Sequence, residues 1–139
     1  MASPAYAGGG RNEVGNEPGR KVVRDIMLAF VRVHVLHHAC EGRIFGLEMM
    51  EELRRHGYDI GPSTLYPLLH ALERGGILVS EQELVDGKGR RYYRSTDAGV
   101  ALLAELRELI REMVDEVVPA PAKGRNRRPT RHAAKRRTT

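Results

Sequence analysis

Residues 102–118 carry an apolar face too wide for a small chain to leave in water. Leu103, Leu106, Ile110, Met113 and Val117 step by three and four residues, and Leu102, Leu109, Val114 and Val118 widen the stripe. That period belongs to an amphipathic helix, and a helix apolar over so much of its circumference must be covered. The patterned part of the chain, 21–118, buries only a modest core at roughly 100 residues. Part of the stripe packs against the same chain, and the rest calls for a partner.

The full chain has 139 residues and a formal net charge of +5. Residues 119–139 hold eight Lys or Arg and no acid, whereas 21–118 hold 13 Lys or Arg against 16 Asp or Glu. The basic balance therefore belongs to the tail. Such a tail points to a polyanion but is not specific. Residues 1–20, with Gly8-Gly9-Gly10, read as a flexible arm, and 119–139, opening on Pro119-Ala120-Pro121, as a disordered basic tail. No stretch approaches the ~18–20 apolar residues of a membrane span. No basic flank and apolar run marks a signal peptide. One cysteine, Cys40, builds neither an internal disulfide nor a zinc site alone. A cytoplasmic location without membrane contact is expected.

Apolar residues at Val22, Ile26, Ala29, Val33, Leu36 and Cys40 predict a helix over 21–40. A second runs from about Gly46 to His56, acidic at its start and basic at its end, with Gly57 suited to the left-handed position past it. A third starts at Pro62, buries Leu65, Leu68, Leu69 and Leu72, and stops at Gly75-Gly76. Pro67 falls inside it and predicts a bend. Strands over 77–85 and 90–95 flank a turn at 86–89, and Thr96 caps the last helix.

The expected fold is therefore mainly α with a small β-hairpin. Two short helices at a tight turn, followed by a hairpin, describe a winged helix-turn-helix. In that architecture the third helix enters the DNA major groove. Its polar face offers Ser63, Thr64, Tyr66 and His70, and the hairpin tip offers Lys88, Arg90 and Arg91. Hydroxyls and imidazole bond base edges or phosphates, and cations neutralise phosphates. Tyr66 is equally suited to a half-core position.

The run Tyr58-Asp59-Ile60-Gly61-Pro62-Ser63-Thr64-Leu65-Tyr66-Pro67-Leu68-Leu69 resembles the Thr-Leu-Tyr-Pro recognition-helix signature of PadR-type transcriptional regulators. Phe45-Gly46-Leu47-Glu48 resembles that family's Tyr-Gly-Tyr-Glu, with Phe and Leu at the two tyrosine positions. Gly89-Arg90-Arg91-Tyr92-Tyr93 and Thr96-Asp97-Ala98-Gly99 resemble its strand and helix start, so the likeness spans nearly all of 21–118. It implies a homodimeric repressor of the branch with a single C-terminal helix. The first and last helices would form N- and C-terminal dimerisation helices, the operators would be inverted repeats in double-stranded DNA, and an effector would release them. The 3–4 spacing agrees with a helix–helix seam. Ile26, Phe30 and Val33 are its candidates on the first helix, and Leu103, Leu106, Ile110, Met113 and Val117 on the last.

His34, His37 and His38 crowd the first helix, and the i,i+4 pair His34 and His38 is the metal candidate by spacing. Two ligands fall short of a structural zinc site, and packing at the interface explains them as well. No cofactor is expected. Family members that stack flat aromatics do so on tryptophan, which this chain lacks, so the effector stays open. An enzyme is disfavoured, because no nucleophile–base pairing or phosphate loop occurs at a working spacing. The rival is an architectural DNA binder in which the basic tail supplies most of the affinity.

Overall fold

A computed structural model describes residues 17–121. The elements run α1 (Glu17–Glu41), β1 (Ile44–Phe45), α2 (Gly46–Arg55), α3 (Pro62–Arg74), β2 (Leu78–Val85), β3 (Lys88–Ser95) and α4 (Asp97–Val117). Helix α1 begins at Glu17, inside the segment expected to be a flexible arm; residues 1–16 and the tail from 122 onward lie outside the described residues. The chain divides into two units between Glu108 and Leu109, inside α4.

The first unit holds the core. Val31, Val35 and Leu36 of α1 meet Met49 and Leu53 of α2, Leu65 and Leu69 of α3, Leu78 and Tyr93 of the sheet, and Leu103 of α4. The stripe that marks the first helix in the sequence is not its main core face. Of the stripe Val22, Ile26, Ala29, Val33, Leu36 and Cys40, only Leu36 is fully buried. The buried residues Val31, Val35 and Ala39 lie on roughly the opposite side at 100° per residue. Helix α1 thus carries two apolar faces, one spent on the core and one left outside.

Both short helices end in the same device. After α2, the Gly57 N–H donates to the Arg54 carbonyl and the Tyr58 N–H to Leu53; after α3, Gly76 donates to Glu73 and Ile77 to Leu72. This six-residue closure requires a left-handed residue, and Gly57 (φ 93°) and Gly76 (φ 78°) supply it. Helix α4 is capped as expected, with the Gly99 N–H donating to Thr96 Oγ1 at 3.1 Å.

The sheet has three strands in the order β1-β3-β2, all antiparallel. The two-residue β1, paired Ile44 to Tyr93 and Phe45 to Tyr92, is an addition to the expected hairpin. The hairpin turn is shorter than expected. Lys88 and Gly89 belong to β3, and Val85 pairs with Lys88, so only Asp86 and Gly87 form the loop. Both have positive φ (53° and 75°), the twist-matched two-residue turn that Asp-Gly favours.

Candidate nucleic-acid interface

Helix α3 buries Leu65, Leu68 and Leu69 and turns Ser63, Pro67, His70 and Arg74 outward, all exposed. Steps of four, three and four set these four residues in one line along the helix. Ser63 and His70 therefore stand where the sequence predicts. Arg74 continues the line and was missed, although the spacing that selects Ser63 and His70 also selects it. Thr64 and Tyr66 flank the line and are half-buried. The helix runs through Pro67. Proline has no N–H for the Ser63 carbonyl, but both residues are exposed, so the freed carbonyl meets solvent rather than core.

Tyr66 is committed in part to packing. Its ring covers Gly46, at the start of α2, so closely that a Cβ there would fall 2.5 Å from the hydroxyl oxygen and 2.8 Å from the ring. The helix-turn-helix angle thus depends on a glycine at 46 and an aromatic ring at 66.

The hairpin separates the three cations expected at its tip. Alternate residues of a strand face opposite sides. Arg91 shares a side with Ser80, Gln82 and Tyr93, whereas Lys88 and Arg90 share the other with Glu81, Glu83 and Tyr92. Arg91 donates to Ser80 Oγ at 3.0 Å and to Gln82 Oε1 at 3.1 Å, and the Ser80 hydroxyl donates to Glu73 Oε2 of α3 at 2.7 Å. That chain of bonds fastens the ribbon to the outward-facing helix. On the other side, Arg90 lies over Phe45 at 4.9 Å and Arg43 over Tyr92 at 3.9 Å. Arg43 grips Glu83 with two nitrogens, at 2.9 and 3.1 Å. The bond to Arg43 holds the Glu83 carboxyl below its usual range and pushes the Arg43 guanidinium up. Lys88, next to the turn, is exposed.

An outward helix line beside a hairpin fastened to it is the geometry of a winged helix-turn-helix, and comparison with known proteins places it. Residues 35–105 match the transcriptional regulator PadR-like family. The chain belongs to the PadR family. Transcriptional regulator Rv3488 of Mycobacterium tuberculosis is 50% identical over 96 residues, covering 69% of this chain and 90% of that protein. The crystal structure of a PadR family regulator from Eggerthella lenta superposes with a TM-score of 0.63 at 33% identity, over 70% of this chain and 87% of the other. A transcriptional regulator from Clostridium thermocellum gives 0.57 at 28% identity, over 68% and 99%. PadR proteins form a family of transcriptional regulators. No described helix is long and apolar enough to cross a membrane.

The seam residues expected from the PadR likeness divide in two. Leu103 is 3% exposed and Leu106 half-buried against the core. The first turns of α4 thus spend part of their apolar face inside the chain, which a spacing shared by the whole helix does not reveal. Ile26 and Phe30 of α1 and Met113 and Val117 of α4 are 40–63% exposed, and Val33 and Ile110 are half-buried. Leu109, Val114 and Val118 are also exposed and extend the candidate set on this stretch.

The histidines of this PadR chain also group differently from the expected pair. His34 stacks on His56 and edge-on to Tyr58, each with centroids 5.1 Å apart. Burial first, then the neighbouring His56, His38 and His37, pushes the His34 imidazole below its ordinary pKa. His38 turns elsewhere: its Nε2 lies 3.6 Å from Glu52 Oε2, and its ring is 4.9 Å from that of His37. Glu52 is in turn bonded by Arg55 and, at 3.0 Å, by His56, and these bonds lower its pKa. His37 Nε2 stands 3.6 Å from Glu41 Oε2. Packing of α1 on α2 brings Glu52 and His56 to this cluster, and no local spacing announces that.

Proposed function

We propose that this PadR protein is a homodimeric, cytoplasmic repressor that binds an inverted-repeat operator in double-stranded DNA and releases it when an effector binds. The observation that carries the reading is the exposed line Ser63, Pro67, His70 and Arg74 on a helix whose other side is locked into the core. Ser63 and His70 offer hydrogen-bonding groups to base edges, Arg74 offers a guanidinium to guanine or phosphate, and Thr64 and the Tyr66 hydroxyl flank them. Arg91 reaches DNA from the ribbon side that faces α3, and Lys88 and Arg90 reach the backbone from the other.

The dimer reading rests on apolar surface that the described residues leave uncovered. The outer face of α1 exposes Val22, Ile26 and Phe30, and the end of α4 exposes Leu109, Met113 and Val117. Full burial of one fully exposed side chain of this kind is worth about 1.5–3 kcal/mol, so covering several of these half-exposed groups per protomer offsets part of the cost of association. A cleft of about 380 Å³ beside α1, lined by Val23, Met27, Val31 and Tyr58 with Arg20 and Arg24, offers room for a partner helix or an effector. Reading two half-sites of an inverted repeat requires the two α3 helices of a dimer to stand about one DNA turn, ~34 Å, apart. An effector that shifts the seam changes that spacing and lowers affinity without touching DNA.

The test is nuclease footprinting on the duplex that the full chain selects from a random library, paired with light scattering of the free protein. Two protected half-sites centred about 10 base pairs apart and a mass of two chains are expected. A single protected half-site and a monomer would reject the reading. The eight tail cations favour a second reading, architectural binding, with a salt slope steeper by up to roughly 7. It predicts no selected sequence at all.

A further inference from the structure

We propose that His37, His38 and Glu41, on the last turns of α1, form a binding site for one divalent transition-metal ion such as Zn²⁺, Co²⁺ or Ni²⁺. Each residue offers one ligand atom, and these three atoms all lie within 4.8 Å of one another. Metal–ligand bonds of about 2.0–2.2 Å at tetrahedral angles hold ligand atoms about 3.3–3.5 Å apart. The 3.6 Å between His37 Nε2 and Glu41 Oε2 is already close to that spacing. Two imidazoles and one carboxylate suit borderline ions and leave a position for water or a fourth ligand.

Two neighbours separate this cluster from an ordinary surface pair of histidine and glutamate. Glu52, on α2, stands 3.6 Å from His38 Nε2. At that distance the carboxylate faces the imidazole without a direct hydrogen bond and adds negative charge beside the site. Arg107, on α4, places its Nη2 3.5 Å from His37 Nδ1. Arginine only donates, so a bond at this distance requires Nδ1 as the acceptor, which puts the proton of the neutral ring on Nε2, on the side of Glu41. A metal on Nε2 replaces that proton. The neutral ring then carries its proton on Nδ1, where it faces an arginine with nothing to accept it. Metal uptake at His37 therefore takes Arg107 off the ring, which links the site to α4. The site stands on these residues whether or not the operator reading holds.

The experiment is a Co²⁺ titration of untagged, chelator-stripped full-length protein, followed by visible absorption and calorimetry. One Co²⁺ per chain is expected, with d–d bands of a nitrogen- and oxygen-ligated site. His37→Ala and Glu41→Gln, both at accessible positions, abolish those bands with an unchanged helical circular-dichroism spectrum. Glu52→Gln, which removes the negative charge beside His38, weakens binding. Arg107→Ala binds at least as tightly as the native chain, and His132→Ala, in the tail, leaves binding unchanged. Absence of stoichiometric binding, or binding that survives both His37→Ala and Glu41→Gln, would overturn the proposal.

Discussion

Tyr66 of α3 lies directly over the bare backbone of Gly46 at the start of α2, with the site of a Cβ 2.8 Å from its ring. The first half of the helix-turn-helix is thus keyed to the helix that would read DNA. Gly46→Ala forces the ring to move and costs about 1–3 kcal/mol, the usual toll of overpacking. Tyr66→Ala in the Gly46→Ala background costs less than in the native chain, because the contact is already lost. Thermal unfolding of the four proteins measures the coupling, and strictly additive losses would show that the two residues do not constrain each other.

Tyr93 is the largest fully buried side chain, 1% exposed, and its hydroxyl bonds to none of the described residues. An unsatisfied buried polar group costs about 1–3 kcal/mol. Tyr93→Phe therefore leaves stability equal or raises it by about 1 kcal/mol. Burial, then the negative charge of Glu73, pushes the Tyr93 pKa above its ordinary value of 10.0. The unfolded chain releases this proton first, so the contribution is intact below pH 10 and is lost as pH rises through the higher folded value. Denaturation at pH 7 and pH 10.5 should show the alkaline loss shrinking in Tyr93→Phe. An unchanged loss would assign it to other groups.

Leu103 and Met113 belong to one stripe in the sequence and part company in the fold, at 3% and 59% exposed. Leu103→Ala should cost about 2–5 kcal/mol of folding stability in a chain that still dimerises. Met113→Asp and Phe30→Asp should do the reverse, giving a folded monomer by light scattering. A dimer that persists in both aspartate variants would place the interface elsewhere.

Arg74 extends the exposed line of Ser63 and His70. Arg74→Ala should weaken binding to the selected duplex by about 1–3 kcal/mol and relax preference at one base position. If the guanidinium meets a phosphate instead, the loss is uniform across sequences and the salt slope falls by about 1. No loss of either kind would remove Arg74 from the interface.

The helices were legible because their signals are local. Stop signals at Gly57 and Gly76, the cap at Thr96 and the Leu65, Leu68, Leu69 face all fall within a few residues of what they govern. Strand β1 was not, because two residues have no period and pair only through the distant Tyr92 and Tyr93. The core face of α1 was masked by its second apolar face, since a period reveals that stripes exist and not which one a chain covers itself. For the same reason Leu103 and Met113 were read alike. The wing cations look like one group in the sequence because only strand register, set by pairing with β2, puts Arg91 on one side and Lys88 and Arg90 on the other. The grouping of Glu52 and His56 with the α1 histidines comes from the packing of two helices.

The central claim is that specificity resides in α3 and the hairpin rather than in the basic tail. Fluorescence anisotropy of the chain ending at Val118 tests it directly, on the selected duplex and on a scrambled one at ~150 mM salt. A preference of about 1,000-fold or more is the expected result. Equal, weak binding to both duplexes, restored only when residues 119–139 are returned, would contradict it.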